Sequence, residues 1–373
     1  MADKTYKIGI SGSYGGMNLG DEAILQSIIA QIRSSIKAEI TVFSRVARDT
    51  KDRHDIEKVV DVRNLSINEI KPEIASLDVF ILGGGGLLYD ADVKFYLREV
   101  KIAQELGIPT MLYAIGAGPL NNAASQSLVA DVLNHVDAIT VRDVDSRHLL
   151  ESLGVKAEIT VTADPAFLIR PEPLPEGTLI REQLTSDKPI VGMSVRELGV
   201  AAPDLDMQKY HMLLANAADF MVDRFNADIV FVPTERKNQD IQLSHAVISQ
   251  MLKPHRAHVL KGKYTPGQLL NIMGHFQFAV GMRLHFLIFA ALQNVPFVAL
   301  PYASKVKGLL GDLGLDMPPI ELVNAGRLIA HLDHSWDLQG PLREQIQEKL
   351  PSIQQRSKRS NTLLLDLLKK HSN

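Results

Sequence analysis

The chain has 373 residues, 46% of them apolar and 22% charged, and a formal net charge of −3. That length fits about two domains, and that charge gives no bulk field to draw nucleic acid or an acidic membrane. No cysteine is present, which excludes disulfides, zinc–thiolate sites, iron–sulfur clusters and a cysteine nucleophile and suits a reducing cytoplasm. The first seven residues hold no apolar h-region, so no secretory signal is expected. No run approaches the ~18 apolar residues of a membrane span. The expected location is therefore cytoplasmic.

Taken in order, Tyr6 to Ser11 reads as a strand, followed by a Gly-rich loop to Gly20, with Asp21 and Glu22 in the first turn of a helix running to Ile36. Strand, glycine loop and helix open a doubly wound domain. The loop offers backbone N–H groups to an anion through Gly16, Asn18 and Asp21, or it is simply a tight turn. It lacks the Gly-Lys-Ser/Thr ending of a P-loop and does not fit G-x-G-x-x-G. The next strand, Glu39 to Phe43, ends in Ser-Arg rather than in an acid for a ribose, which argues against nicotinamide binding. Leu77 to Leu82 reads as a buried strand ending in four glycines, Gly83 to Gly86, where Gly84 and Gly85 let a ligand approach the backbone. Helix Asp92 to Leu106, strand Thr110 to Ile115, helix Gln126 to His135, strand Ala138 to Val141 and helix Asp145 to Leu153 continue the alternation. The fourth of these ends at Arg142-Asp143. Strand Ile159 to Thr162 closes it before Ala163-Asp-Pro165.

Residues 170–189 hold four prolines and many charges and mark the boundary. The domains are then residues 1–175 and 176–350, with 351–373 as a last helix whose apolar cluster, Leu363 to Leu368, buries itself by crossing back to the first domain. The second half restarts with strand Ile190 to Val195, ending at Arg196. Strands Asp228 to Val232 and His258 to Leu260 follow, separated by helices. Phe276 to Val280 is a buried strand, and Phe297 to Leu300 is another, running into Pro301 to Lys305. The pattern predicts an α/β chain of two Rossmann-like domains facing a cleft, each with a parallel sheet and all its strand-end loops on one edge.

Gly281-Met282-Arg283-Leu284-His285 sits between a buried strand and a helix. An open α/β sheet binds ligands beyond the carboxyl ends of its strands, and a helix start favours anions. An arginine forks onto carboxylate or phosphate, and a histidine moves protons near neutral pH. The bland alternative is surface charge beside a hydrogen-bonded core histidine. Two other histidine pairs, His255/His258 and His331/His334, lack convincing further ligands, so no metal site is expected. Ser11 lacks the final glycine of a nucleophile elbow.

Six segments, in order over nearly the whole chain, resemble the polysaccharide pyruvyl transferases: Gly15 to Glu22, Leu82 to Leu87, Ile115 to Pro119, Val141 to Asp143, Ala163 to Pro165 and Gly281 to His285. The resemblance implies a GT-B-like fold and transfer of pyruvate from phosphoenolpyruvate onto two hydroxyls of one sugar as a ketal. It implies His285 as the proton-transfer residue and Arg283 and Arg142 as ligands of the donor anion. Gly16, Asn18, Asp21, Gly84 and Gly85 complete the expected substrate contacts. Arg196 and Lys305, at second-domain strand ends, either assist phosphate binding or stand as solvated charges. The expected partners are phosphoenolpyruvate and a glycan or lipid-linked sugar, with possible peripheral contact to a membrane glycan-assembly system. No cofactor is expected beyond the donor itself. A nucleotide-sugar glycosyltransferase on the same fold is the alternative, and a non-catalytic sugar- or phosphate-binding relative is a third class.

Overall fold

The structure, a computed structural model, describes residues 4–16, 18–196, 206–235, 239–300, 304–316 and 325–371, the side chains of 304, 305 and 325 excepted. The chain divides into two compact units. Unit 1 is Met1–Ile169 with Ser352–Asn373, and unit 2 is Arg170–Pro351.

Unit 1 runs β1 (Tyr6–Ser11), α1 (Leu19–Ser35), β2 (Ala38–Ser44), α2 (Ala47–Arg53), β3 (Lys58–Asp61), α3 (Ile67–Ala75), β4 (Val79–Leu88), α4 (Val93–Glu105), β5 (Thr110–Ala117), α5 (Ala123–Leu133), β6 (Ala138–Val141), α6 (Val144–Ser152) and β7 (Ile159–Val161). Its seven strands lie in the order β3-β2-β1-β4-β5-β6-β7, and every pair is parallel. The order reverses between β1 and β4, the crevice where such sheets take ligands. Apolar strands are covered on both faces, as parallel sheets require. α1 shows how: Ile24, Ile28 and Ile32, each one turn from the next, are fully buried.

β4 corrects the sequence expectation. It does not end at Leu82 but runs through all four glycines to Leu88, pairing Gly83 with Tyr113, Gly85 with Ile115 and Gly86 with Gly116. The glycines make room for protein. A Cβ on Gly83 would lie 2.3 Å from the Tyr14 hydroxyl, and one on Gly84 would lie 3.0 Å from Ile24 and 3.3 Å from Pro165. Elements α2, β3 and α3 had no distinct sequence signal, because β3 is only the four residues Lys-Val-Val-Asp.

Unit 2 runs α7 (Thr178–Arg181), β8 (Ile190–Ser194), α8 (Met207–Arg224), β9 (Asp228–Phe231), α9 (Asp240–Ile248), β10 (Ala257–Val259), α10 (Pro266–Met273), β11 (Phe278–Gly281), α11 (Leu284–Leu292), β12 (Phe297–Ala299), α12 (Ser304–Leu313) and α13 (Ala325–Asp337). The strand order β10-β9-β8-β11-β12 repeats the plan, again all parallel, with its reversal between β8 and β11. α13, not among the elements expected from the sequence, buries Leu328 and Leu332 and stacks Trp336 on Phe225, 4.0 Å between ring centroids and nearly parallel. In the same unit Glu182 is 3% exposed and accepts from Tyr264 Oη (2.6 Å), Gly262 N (2.8 Å) and Lys261 N (3.0 Å). Its carbonyl accepts from His258 Nε2 at 2.8 Å.

The last helix, α14 (Gln339–Lys370), buries Ile353, Ser357, Ser360, Leu364 and Leu368 at three- and four-residue spacing. Ser360 Oγ bridges Thr140 Oγ1 and Thr162 Oγ1, both at 3.0 Å, and Ser357 Oγ donates to the Asp164 carbonyl at 3.0 Å. Unit 1 is thus closed by residues two hundred positions away from the strands they hold. Among the described residues no helix is long and apolar enough to cross a membrane.

Two outcomes are expected. Ser360→Ala leaves a buried hydroxyl pair short of its bridge and should cost about 1–2 kcal/mol in urea unfolding. Acidification should also destabilise the fold. Burial holds the His258 imidazole below its ordinary value of 6.5, outweighing the Glu182 carbonyl. For Glu182, burial is outweighed by the bonds from Tyr264, Lys261 and Gly262, which hold its carboxyl below 4.5. In both cases the unfolded chain binds more protons over the affected range, so stability falls as pH drops, through His258 below about 6.5 and through Glu182 below about 4.5. In His258→Gln the upper part of that decline should flatten.

Candidate active site

Because each sheet is parallel, all the strand-to-helix junctions of a unit share one edge. The predicted site residues lie on these edges, and the junctions differ in what they have left to offer a ligand.

The Gly-rich loop after β1 is largely committed to the protein itself. Asn18 caps α1, its side chain accepting from Gly20 N at 2.9 Å. Glu22 does not face solvent as a first-turn acid would. It is fully buried, accepting from Gly15 N at 2.9 Å and meeting His54 Nε2 at 2.7 Å. Asp21 adds a second acid to the same turn. A Cβ on Gly85, whose φ is +105°, would lie 3.5 Å from Asp21 Oδ1. The Gly15 and Gly20 N–H groups, already bonded to a carboxylate and an amide oxygen, are poor anion receptors, and Gly16, Asn18, Asp21, Gly84 and Gly85 lie around them. A Cβ on Gly16 would likewise meet nothing nearer than Ser13 O at 3.4 Å.

Arg142, just past β6, is different. It is 6% exposed. Its Nη1 pairs with Asp164 Oδ2 at 3.1 Å and its Nε with Asp143 Oδ2 at 3.4 Å. Its Nη2 is buried with no hydrogen-bond partner among the described residues. A buried donor left so costs about 1–3 kcal/mol, which an incoming anion would recover. Gly116, on β5, makes space for the guanidinium: a Cβ there would sit 2.8 Å from Nε and Nη2.

In unit 2, the β11–α11 junction is a tight turn. Gly281 is required, since a Cβ would strike the Phe286 ring at 2.4 Å. Arg283 occupies the N-cap position of α11, and no side chain caps this helix. His285 is the second residue of the helix. At the paired strand end, Gly281 faces Ser194 of β8, whose hydroxyl is buried without a hydrogen-bond partner among the described residues. This is the switch point of the second sheet. Arg196 follows two residues on, with its carbonyl accepting from Tyr210 Oη at 3.4 Å. Lys305 stands in the first turn of α12, and its side chain lies outside the described residues.

Arg283 itself is 8% exposed and already held. Nη1 donates to Glu235 Oε2 at 2.6 Å and Nη2 to Asp240 Oδ1. Asp240, fully buried, also accepts from Glu235 N (3.0 Å) and Thr234 N (3.2 Å). Burial works against the Arg283 charge, but Asp240 and Glu235 outweigh it and hold the guanidinium above its ordinary value. Burial pushes the Asp240 carboxyl up against the pull of Arg283. Sequence reasoning found Arg283 but missed both acids, which lie 48 and 43 positions away.

Of the two rival histidine pairs, His258 bonds the Glu182 carbonyl, and burial followed by His334 lowers His331. Among the described residues no group of three or more His, Asp or Glu could hold a metal. Ser11 Oγ donates to Glu99 Oε2 at 3.5 Å.

The family model of polysaccharide pyruvyl transferases matches residues 18–304. The amylovoran biosynthesis protein AmsJ of Erwinia amylovora is 22% identical over 325 residues, which cover 82% of this chain and 77% of that protein. Among solved structures, UDP-GlcNAc 2-epimerase from Neisseria meningitidis bound to UDP-GlcNAc superposes with a TM-score of 0.67 at 10% identity, covering 98% of this chain and 100% of that one. Anabaena Alr3699/HepE in complex with UDP-glucose gives 0.64 at 13%, covering 98% and 100%. ADP-heptose LPS heptosyltransferase II of E. coli gives 0.51 at 14%, covering 88% and 98%. At such identities these likenesses are of fold: two parallel α/β sheets in a GT-B-like chain.

Asp240→Asn keeps an oxygen for the Thr234 and Glu235 N–H groups but removes the charge from Arg283. Breaking that buried pair should cost about 3 kcal/mol, read from the urea midpoint at pH 7.

Proposed function

The chain belongs to the polysaccharide pyruvyl transferase family, and on that premise we propose that it moves pyruvate from phosphoenolpyruvate onto two hydroxyls of one sugar, closing a pyruvate ketal. The observation that carries this reading is the β11–α11 junction: a helix start with no side-chain cap, at a sheet's switch point, presenting His285 in its first turn beside Arg283. The alternative anion-friendly loop, after β1, is already occupied by Asn18 and Glu22.

The chemistry assigns the roles. A proton must reach the methylene carbon of phosphoenolpyruvate, which leaves an oxocarbenium-like centre at the neighbouring carbon. One sugar hydroxyl adds there and loses its proton; phosphate then leaves, and the second hydroxyl closes the ring. The products are the ketal and inorganic phosphate. His285 is the group that gives and takes these protons, a form of help worth about 10²- to 10⁴-fold. Arg142 holds the donor anion with its unspent Nη2, a charge-assisted bond in a largely dry setting. For Arg283 to hold the donor as well, its fork must yield the Glu235 carboxylate, while Asp240 keeps the other arm in place. Arg196 and Lys305 assist the phosphate as secondary cations. The acceptor is a free or lipid-linked glycan, in keeping with the polysaccharide role named for AmsJ, and the reaction takes place on the cytoplasmic side. It needs only donor, acceptor and proton carrier.

His285→Ala should abolish phosphate release from phosphoenolpyruvate in the presence of a glycan panel while the thermal midpoint stays within about a degree of the parent; full activity would remove His285 from the reaction. Glu235→Gln tests the exchange at Arg283. If the donor must displace Glu235, the variant should lower KM for phosphoenolpyruvate by about threefold or more; an unchanged or raised KM would leave Arg283 a purely positioning role. Protection against heat separates the rival donor: phosphoenolpyruvate should raise the unfolding temperature and UDP-glucose should not.

A further inference from the structure

Unit 1 carries a cavity of about 330 Å³ that the proposed chemistry does not use. It lies beyond the carboxyl ends of β1, β2 and β3, against the first turns of α4, beside the reversal of the first sheet. Arg45 follows β2, Arg63 follows β3, and α4 supplies Phe95, Arg98 and Glu99, with Asp92 at its start. These come from two loops and the start of one helix, and none was singled out as a site residue from sequence.

The lining has an uneven charge balance. Arg45 lies over the Tyr96 ring, 5.4 Å from its centroid, and donates to Asp92 Oδ2 at 3.2 Å. Arg98 pairs with Glu99 Oε1 at 2.6 Å and also donates to the Val62 carbonyl. Arg63 is exposed, and its guanidinium has no partner among the described residues. Three guanidinium groups thus face two carboxylates. Burial also pushes the Glu99 carboxyl up, towards its neutral form. One edge of the cavity is an aromatic ring with little to cover it: Phe95 is 65% exposed. Its helix neighbours Tyr96 and Leu97 are buried, so the Phe95 ring stands on the open face of α4 at the cavity's rim.

We propose that this cavity is a saccharide subsite for a sugar bearing an anionic group, with Arg63 receiving the anion, Phe95 stacking on the ring face, and Asp92 and Glu99 accepting from its hydroxyls. The volume is at the small end of ligand pockets, suited to one sugar ring. Phosphoenolpyruvate is disfavoured here: it has no hydroxyl for the two acids to accept from and no ring face for Phe95. The same anion chemistry is offered by a uronate carboxylate or a sugar phosphate. The assignment of this sugar as the acceptor rests on the transferase reading; binding of the sugar does not.

The test is calorimetry on the full chain, without phosphoenolpyruvate, using methyl glucuronide, glucose 1-phosphate and methyl glucoside. At least one charged sugar should bind about tenfold or more tightly than methyl glucoside, and the better of the two identifies the anion. Arg63→Ala should erase that preference, and Phe95→Ala should weaken all three sugars by about fivefold or more, both variants keeping the parent's affinity for phosphoenolpyruvate. Equal binding of charged and neutral sugars, no binding of any, a preference that survives Arg63→Ala, or a matching loss of phosphoenolpyruvate affinity in that variant would each overturn the proposal. Phosphate release is measured separately. Its absence alongside an Arg63-dependent sugar preference would strike the transfer reading and support this one.

Discussion

Parallel strand pairing is the constraint from which the functional geometry follows. A parallel ladder cannot be closed by a hairpin, so each strand hands over to a helix before the next can start, and every handover of one kind falls on the same edge. Each unit therefore gathers residues that are remote in sequence into one row of junctions. In unit 1 that row includes Arg45, Arg63, the β4 glycines and Arg142; in unit 2 it includes Ser194, Glu235 and the Arg283–His285 turn. The fold fixes where chemistry can occur, while the individual junctions decide which chemistry.

What separates the junctions is whether their polar groups are already satisfied by the protein. The loop after β1 has the glycine content of an anion cradle, yet Glu22 and Asn18 occupy its N–H groups. The turn before α11 has one glycine and no side-chain cap. Arginines divide the same way. Arg142 keeps a buried N–H in reserve, whereas Arg283 has both its terminal nitrogens on carboxylates. A buried guanidinium between two acids is expensive to hold and is stable only with good hydrogen bonds throughout. Asp240 is held in turn by the Thr234 and Glu235 N–H groups, while Arg283 Nε is buried with no hydrogen-bond partner among the described residues.

The alternation of apolar runs, glycines and helical periods made the α/β class legible, because burial on both faces leaves its mark on each strand separately; the family was legible only through the resemblance of six short motifs. Arg142 and the Arg-Leu-His turn were legible for the same reason, as polar residues at the ends of such runs. The rest depended on partners far away. Nothing near Glu22 in the chain says that it turns inward to Gly15 and His54, and nothing near Arg283 announces Glu235 and Asp240. Four glycines in a row looked like a strand's end, but the space beside them belongs to Tyr14, Ile24 and Pro165. α13 carries a helical period in Leu328, Leu332 and Trp336, but the reason for Trp336 lies in Phe225, over a hundred residues earlier.

Unit 1 is built from two stretches of chain that translation delivers at opposite times. Its sheet is finished by residue 161, but Ser357 and Ser360, which bond Asp164, Thr140 and Thr162, are synthesised only after unit 2. The nascent sheet leaves the ribosome with the surface destined for α14 uncovered, and it stays so while all of unit 2 is made. Domains normally acquire their structure in order of synthesis. Here the first unit to begin is completed only after the second, and the long-range closure, with its loop-entropy penalty, is deferred until unit 2 has been made.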